Sequence, residues 1–209
     1  NPNGVIVIQF SAYLLPLIKN GQFDHIYHEH FSYFSLTTIK QILKKFKLEI
    51  IDVEELNVHG GSIRLYIKKI GQTKKESKNV KKLLKKEKEF GITKKETYRN
   101  FQNQILEKKI NIWKFFSVAK KENKKIIGYG APAKGNTMLN YCQIGKDFIN
   151  FTVDKNPAKQ GKLLPGTHIP IFNLKKINEF KPDYLVILPW NLKEEIVEEM
   201  KYIRKWGGK

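Results

Sequence analysis

The densest cluster of titratable groups in this 209-residue chain is Tyr27-His28-Glu29-His30, flanked by Phe23, Phe31, Tyr33 and Phe34. Aromatic packing around an imidazole withdraws water and favours the neutral ring, which accepts a proton near pH 7. That is the chemistry of a general base. A metal would need a third ligand, which His25 or His59 could supply. His28 and His30 stand two apart, however, so they share a face on a strand and not on a helix. The spacing by itself is weak for zinc, and buried histidines bracing an aromatic core would have the same composition. Residue types and spacing leave these readings open.

A second candidate is the run Gly128-Tyr129-Gly130-Ala131-Pro132-Ala133-Lys134-Gly135-Asn136-Thr137. It follows an apolar strand and opens a helix. Small residues such as Gly130, Ala131 and Gly135 let backbone N–H groups approach a phosphate, and a helix N-terminus favours an anion. Pro132 and Asn136 complete the turn, and Lys134 adds a point charge suited to a diphosphate. The third glycine of the dinucleotide fingerprint is out of place, and the run is no Walker loop. Phosphate binding is favoured over a turn whose glycines serve packing alone. Asp154 ends the next strand, where an acid can bind a ribose hydroxyl. Ahead of Lys155-Asn156-Pro157 it is equally a turn-forming residue.

These groups need elements to hold them. After Asn1-Pro2-Asn3-Gly4, which is turn chemistry, Val5–Phe10 is a β-branched run suited to a buried strand. No capping segment precedes it, so the chain reads as entering mid-domain. Leu36, Ile39, Ile42, Leu43 and Phe46 recur at helical spacing over residues 36–48. Residues 49–53 read as a strand, His59-Gly60-Gly61-Ser62 as a turn, and Ile63–Ile67 as an alternating strand. Together these predict the closing edge of a larger α/β sheet. Residues 72–122 carry apolar positions at three and four, giving two amphipathic helices broken at Gly91-Ile92-Thr93. From Lys124 the pattern becomes β-α-β: strands at 125–130, 148–154, 169–171 and 184–189, helices after Gly135, over 174–180 and over 192–205. That alternation predicts a doubly wound parallel sheet. The expected division is 1–70, then a lysine-rich helical linker 71–123, then a Rossmann-like domain 124–209.

The net charge of +19 suggests nucleic acid at first sight. Counted by segment, residues 1–67 are neutral, residues 68–125 hold 20 basic and 6 acidic groups, and residues 126–209 carry a net +5. Only one basic residue of the central segment, Arg99, is an arginine, and aromatics interleave sparsely there, which disfavours specific base readout. A solvated helical face explains the lysines better. No apolar run approaches the ~18 residues of a membrane span. The single cysteine, Cys142, excludes an internal disulfide framework and a multi-cysteine zinc site. A globular cytoplasmic protein is the expectation.

Six runs in order carry a resemblance. They are Phe23–Leu36 (FDHIYHEHFSYFSL), Val58–Arg64 (VHGGSIR), Gly130–Thr137 (GAPAKGNT), Val153–Gly161 (VDKNPAKQG), Pro165–Ile171 (PGTHIPI) and Leu188–Leu192 (LPWNL). This set closely resembles the nucleotide-sugar C-methyltransferases, over nearly the whole chain apart from the lysine-rich helices. The resemblance implies methyl transfer from S-adenosylmethionine to a carbon beside the keto group of a deoxysugar. That sugar is carried on a nucleoside diphosphate, typically thymidine. It implies His30 as the base, with Tyr27 and Glu29 as polar partners and His28 assisting. Gly130, Ala131, Pro132, Lys134, Gly135, Asn136 and Asp154 would then hold the sugar nucleotide. The family's zinc-binding N-terminal region and its glycine-rich donor loop match no segment here, so the donor site is expected largely outside this chain. A nucleotide-sugar-binding module without catalytic capacity is the alternative.

Overall fold

The computed structural model describes residues 4–71 and 76–209. The chain divides into two units, Asn1–Gln22 with His28–Ile105, and Phe23–Tyr27 with Leu106–Lys209. The opening turn at residues 1–3 and the first residues of the lysine-rich segment, 72–75, lie outside the described residues.

In the first unit, alternation on one strand builds the core. Ile63, Leu65 and Ile67 of β3 (Ser62–Lys69) point the same way and are fully buried. β3 is central, antiparallel to both β1 (Ile6–Ser11) and β2 (Leu48–Leu56). The expected strand at Val5–Phe10 is present, but its burial is corrected. Val5, Ile6, Val7 and Ile8 are 47, 46, 53 and 40% exposed. Among the described residues β1 is an edge strand, bonded only to β3, and β-branched character alone does not distinguish an edge from a centre. α1 (Leu14–Lys19) contributes Leu15, Leu17 and Ile18 to the core, α2 (Leu36–Lys45) contributes Leu36, and α3 (Lys78–Phe90) contributes Val80 and Leu83.

α2 begins where Ser35 accepts the amide of Thr38 at 3.1 Å. It ends at Lys45, short of the predicted Leu48, because Lys47 turns left-handed (φ 56°) into β2. A second cap comes from a distant helix. Glu87 of α3, fully buried, accepts the amides of Leu36 (2.6 Å) and Thr37 (2.8 Å), the Thr37 hydroxyl (2.5 Å) and the Tyr13 hydroxyl (2.8 Å). Burial, reinforced by that carboxylate, drives the Tyr13 phenol far above its ordinary pKa. α3 stops at Gly91, left-handed at φ 79°, and α4 runs from Lys95 to Lys121.

The second unit is the predicted parallel sheet. Its strands are β4 (Ile126–Tyr129), β5 (Thr152–Val153), β6 (Ile171–Phe172) and β7 (Tyr184–Ile187), in the order β6-β5-β4-β7, with every pair parallel. α5 (Ala133–Cys142) follows β4, α6 (Lys176–Phe180) precedes β7, and α7 (Lys193–Glu199) follows it. Ile127, Tyr129, Val153, Ile177, Ile196 and Ile203 share the core. Two predicted elements are shorter than their apolar runs. The strand over 148–154 contracts to Thr152–Val153, because the amides of Phe148 and Ile149 bond locally to the carbonyl of Gly145. The helix over 192–205 ends at Glu199 and continues as a tighter turn, Lys201–Trp206. No helix among the described residues is long and apolar enough to cross a membrane.

Candidate active site

The second unit places a crevice by topology. From β4 the chain winds through β5 and β6 on one side, then returns to add β7 on the other. Loops leaving the carboxyl ends of strands at such a reversal diverge and leave room for a ligand. A cavity of about 220 Å³ lies there, lined by Tyr129–Pro132 after β4, Asp154, Lys155 and Lys159 after β5, and Pro189, Leu192, Glu195 and Ile196 after β7. Four of the predicted binding residues, Gly130, Ala131, Pro132 and Asp154, are in this lining.

Asp154 does structural work in the same place. One carboxylate oxygen accepts the Ala131 amide at 2.7 Å, and the other accepts the Asn156 amide at 2.8 Å. Lys159 bridges the Ala131 carbonyl (2.9 Å) and the Asp154 carboxylate (3.4 Å). The turn after β4 is thus fastened to the end of β5. On the far side, the Tyr129 hydroxyl donates to Glu199 at 3.1 Å and Lys155 pairs with Glu199 at 2.7 Å. Burial, with the Glu199 charge second, pushes the Tyr129 phenol up to about 12, so it remains a donor at neutral pH.

The glycines of the turn have packing reasons. Gly130 is left-handed (φ 86°), and a Cβ there would stand 2.7 Å from Pro189 Cδ. A Cβ on Gly135 would stand 2.9 Å from that of Leu188. Pro132 caps α5 without a side-chain bond, so no side chain caps its first turn. The Asn136 amide bonds to the Pro132 carbonyl, while its Oδ1 is buried without a hydrogen-bond partner among the described residues.

Lys134 is not in the cavity lining. It is 9% exposed, donates to Asn191 Oδ1 at 2.8 Å and lies 4.9 Å above the Trp190 ring. The Trp190 indole N–H donates to Asp24 at 2.5 Å. Asp24 and His25 are 7% and 2% exposed, and the His25 ring sits 5.9 Å from Trp190. Burial raises the Asp24 pKa, opposed by the Trp190 bond and the Lys134 charge. Burial lowers that of Lys134, opposed by Asp24. Phe23 packs on Tyr141 at 5.0 Å, and the Thr137 hydroxyl reaches the Ile26 carbonyl at 3.4 Å. The five residues Phe23–Tyr27 thereby belong to the second unit. Asp24 and Trp190 escaped the reading of site residues, although both lie inside quoted motifs, because a motif does not say what its members face.

The predicted base cluster straddles the division of the chain. Tyr27, half-buried, closes the segment assigned to the second unit, and His28, Glu29 and His30 belong to the first. His28 and Glu29 have side chains 84% and 68% exposed, with 3.9 Å between Nε2 and Oε1. His30 is half-buried and meets Tyr33 edge-on at 6.3 Å. The aromatic enclosure expected around the cluster is corrected in part: Phe31 is 93% exposed, and the fully buried histidine is His25, with the Trp190 ring as neighbour. His59 is exposed at φ 54°, on the turn whose Gly61 packs against Pro16. Cys142 is buried.

The described strands of the first unit are all antiparallel, and among its described residues no glycine-rich turn leads from a parallel strand into a helix. These residues do not fit an adenosyl group by that means.

Comparison with known proteins places this architecture. The family model for the C-methyltransferase C-terminal domain matches residues 57–209. C-methyltransferase NovU of Streptomyces niveus is 36% identical over 208 residues, covering all of this chain and 49% of the relative. The chain therefore spans about half the length of the curated relative it matches. With the family model covering most of the sequence and the identity running through both units, the chain belongs to the C-methyltransferase family.

Proposed function

We propose that this chain supplies the proton-removing and sugar-nucleotide-holding parts of a C-methyltransferase acting beside the keto group of a nucleotide-linked deoxysugar. The observation that carries the reading is the crevice at the carboxyl edge of the parallel sheet in a chain of this family. In this reading residues 1–70 end the methyltransferase domain, 71–123 link, and 124–209 hold the sugar nucleotide, probed best with thymidine. A C–H beside a carbonyl becomes acidic enough for a side-chain base once the enolate oxygen is stabilised. His30 removes that proton, Tyr27 and Glu29 orient substrate or ring, and exposed His28 assists. The carbanion left by that step is the nucleophile for methyl transfer. Gly130–Pro132 and Asp154 form the wall of the nucleotide site, with Gly135 and Asn136 shaping the turn behind it. Lys134, buried against Asn191, acts on that wall from within rather than from the cavity.

Calorimetric titration of the chain tests where the nucleotide and the donor bind. Thymidine diphosphate is expected to bind, and S-adenosylmethionine is expected not to, because the described residues lack a donor loop. Donor binding at about micromolar strength, roughly 8 kcal/mol, would overturn the assignment of the donor site. No binding of the nucleotide would overturn the assignment of the crevice.

A further inference from the structure

We propose that Trp190, Asn191, Lys134 and Asp24 form a latch that positions the segment leading into the base, which makes Trp190 and Asp24 positioning residues for proton removal. The inference rests on the reading of His30 as the base, and concerns how that base is brought to its place. A ligand-binding lysine would present its ammonium to a cavity. Here the Lys134 ammonium is buried, bonded to Asn191 and set over the Trp190 ring. The same indole donates its N–H to the carboxylate of Asp24, three residues before Tyr27 and six before His30. Two stretches distant in sequence, 134 and 190–191, thus converge on a third, 23–27.

The polar atoms account for one another. The carboxylate is removed from water and receives a short indole bond, with the Lys134 charge near enough to favour its ionised form. A buried carboxylate is costly without such partners, so Asp24 is held where they are. Phe23 on Tyr141 and Thr137 on the Ile26 carbonyl fix the backbone on either side. Residues so fastened leave Tyr27 little freedom, and the placement of a base decides its rate far more than the affinity for substrate.

The test uses the full-length enzyme and two readouts. Amide hydrogen exchange of the peptide containing residues 23–27 reports the latch without reference to catalysis. Solvent deuterium uptake at the carbon beside the keto group, without methyl donor, reports proton removal. Trp190→Phe keeps an aromatic ring under Lys134 and removes the indole N–H together with the rest of the five-membered ring; Asp24→Ala removes its acceptor. Both are expected to speed amide exchange of the peptide at least about tenfold. Both should also lower the maximal rate of deuterium uptake about 10–100-fold at nearly unchanged KM. The double variant should be no worse than either single one, and Asp24→Asn, which keeps an acceptor oxygen, should recover most of the loss. Unchanged amide exchange overturns the latch, whatever the activity. Faster amide exchange with a normal rate overturns its role in positioning, and a raised KM at normal rate makes the cluster a substrate contact instead. His30→Asn, run beside them, separates the two layers: normal deuterium uptake there sinks the base assignment, while the peptide's amide exchange still judges the latch.

Discussion

Asp24 concentrates at one residue the tension between burial and charge. Its carboxyl is pushed above the ordinary range chiefly by desolvation, so the folded chain holds the proton more tightly than the unfolded chain. Folding then takes up a proton between the usual aspartate pKa, about 3.9, and the raised folded value. The sign follows: stability contributed by the protonated form is present at low pH and declines as pH rises through that window. Asp24→Asn cannot titrate and keeps an acceptor for the Trp190 indole. The melting temperature of Asp24→Asn should therefore gain on that of the native sequence from about pH 4 upward, levelling once Asp24 is ionised in both states. A difference that stays flat from about pH 3 to 8 would contradict the raised pKa.

Among the elements, α2 depends on a residue fifty positions away. Glu87 satisfies the open N-terminal amides of α2, and its negative charge stands at the positive end of the helix dipole. Glu87→Gln keeps one acceptor oxygen but turns an NH₂ toward donors. We expect a loss of about 1–3 kcal/mol, against about 1 kcal/mol for Tyr13→Phe, which deletes one of the four bonds. Urea unfolding of the two variants checks the order; equal midpoints would mean that Glu87 is not the cap that holds α2. Nothing in the sequence marked Glu87 out from the lysines and glutamates around it, since a cap of this kind is made by tertiary packing. The elements themselves were more legible. Period-two alternation at Ile63–Ile67 and the β-α-β rhythm after Lys124 report local geometry, and both are present. Their ends were not legible at 148–149, where the amides turn back locally to the carbonyl of Gly145. Nor was the exposure of β1, because an edge strand and a buried one can share the same β-branched composition.

For the whole molecule, the lysines that dominate its charge explain little of its chemistry. Residues 68–125 hold 19 of its 36 lysines, while the groups with chemical potential gather after β4, β5 and β7 and in the segment 23–30. Much of the candidate site was legible as motifs: the histidine cluster and all the crevice residues but Glu195 and Ile196 fall inside quoted runs. What each member does was less so: Gly130 and Gly135 have steric reasons, Asp154 fastens a turn, and Lys134 faces inward. The central claim is that His30 removes the proton beside the keto group. It is tested most directly by incubating the full-length enzyme and its His30→Asn variant with the nucleotide-linked keto sugar in deuterated water, without methyl donor. The native enzyme should incorporate deuterium at that carbon, and His30→Asn should do so about 10²–10⁴-fold more slowly while binding the sugar nucleotide with similar affinity. Incorporation by His30→Asn at the native rate would contradict the account.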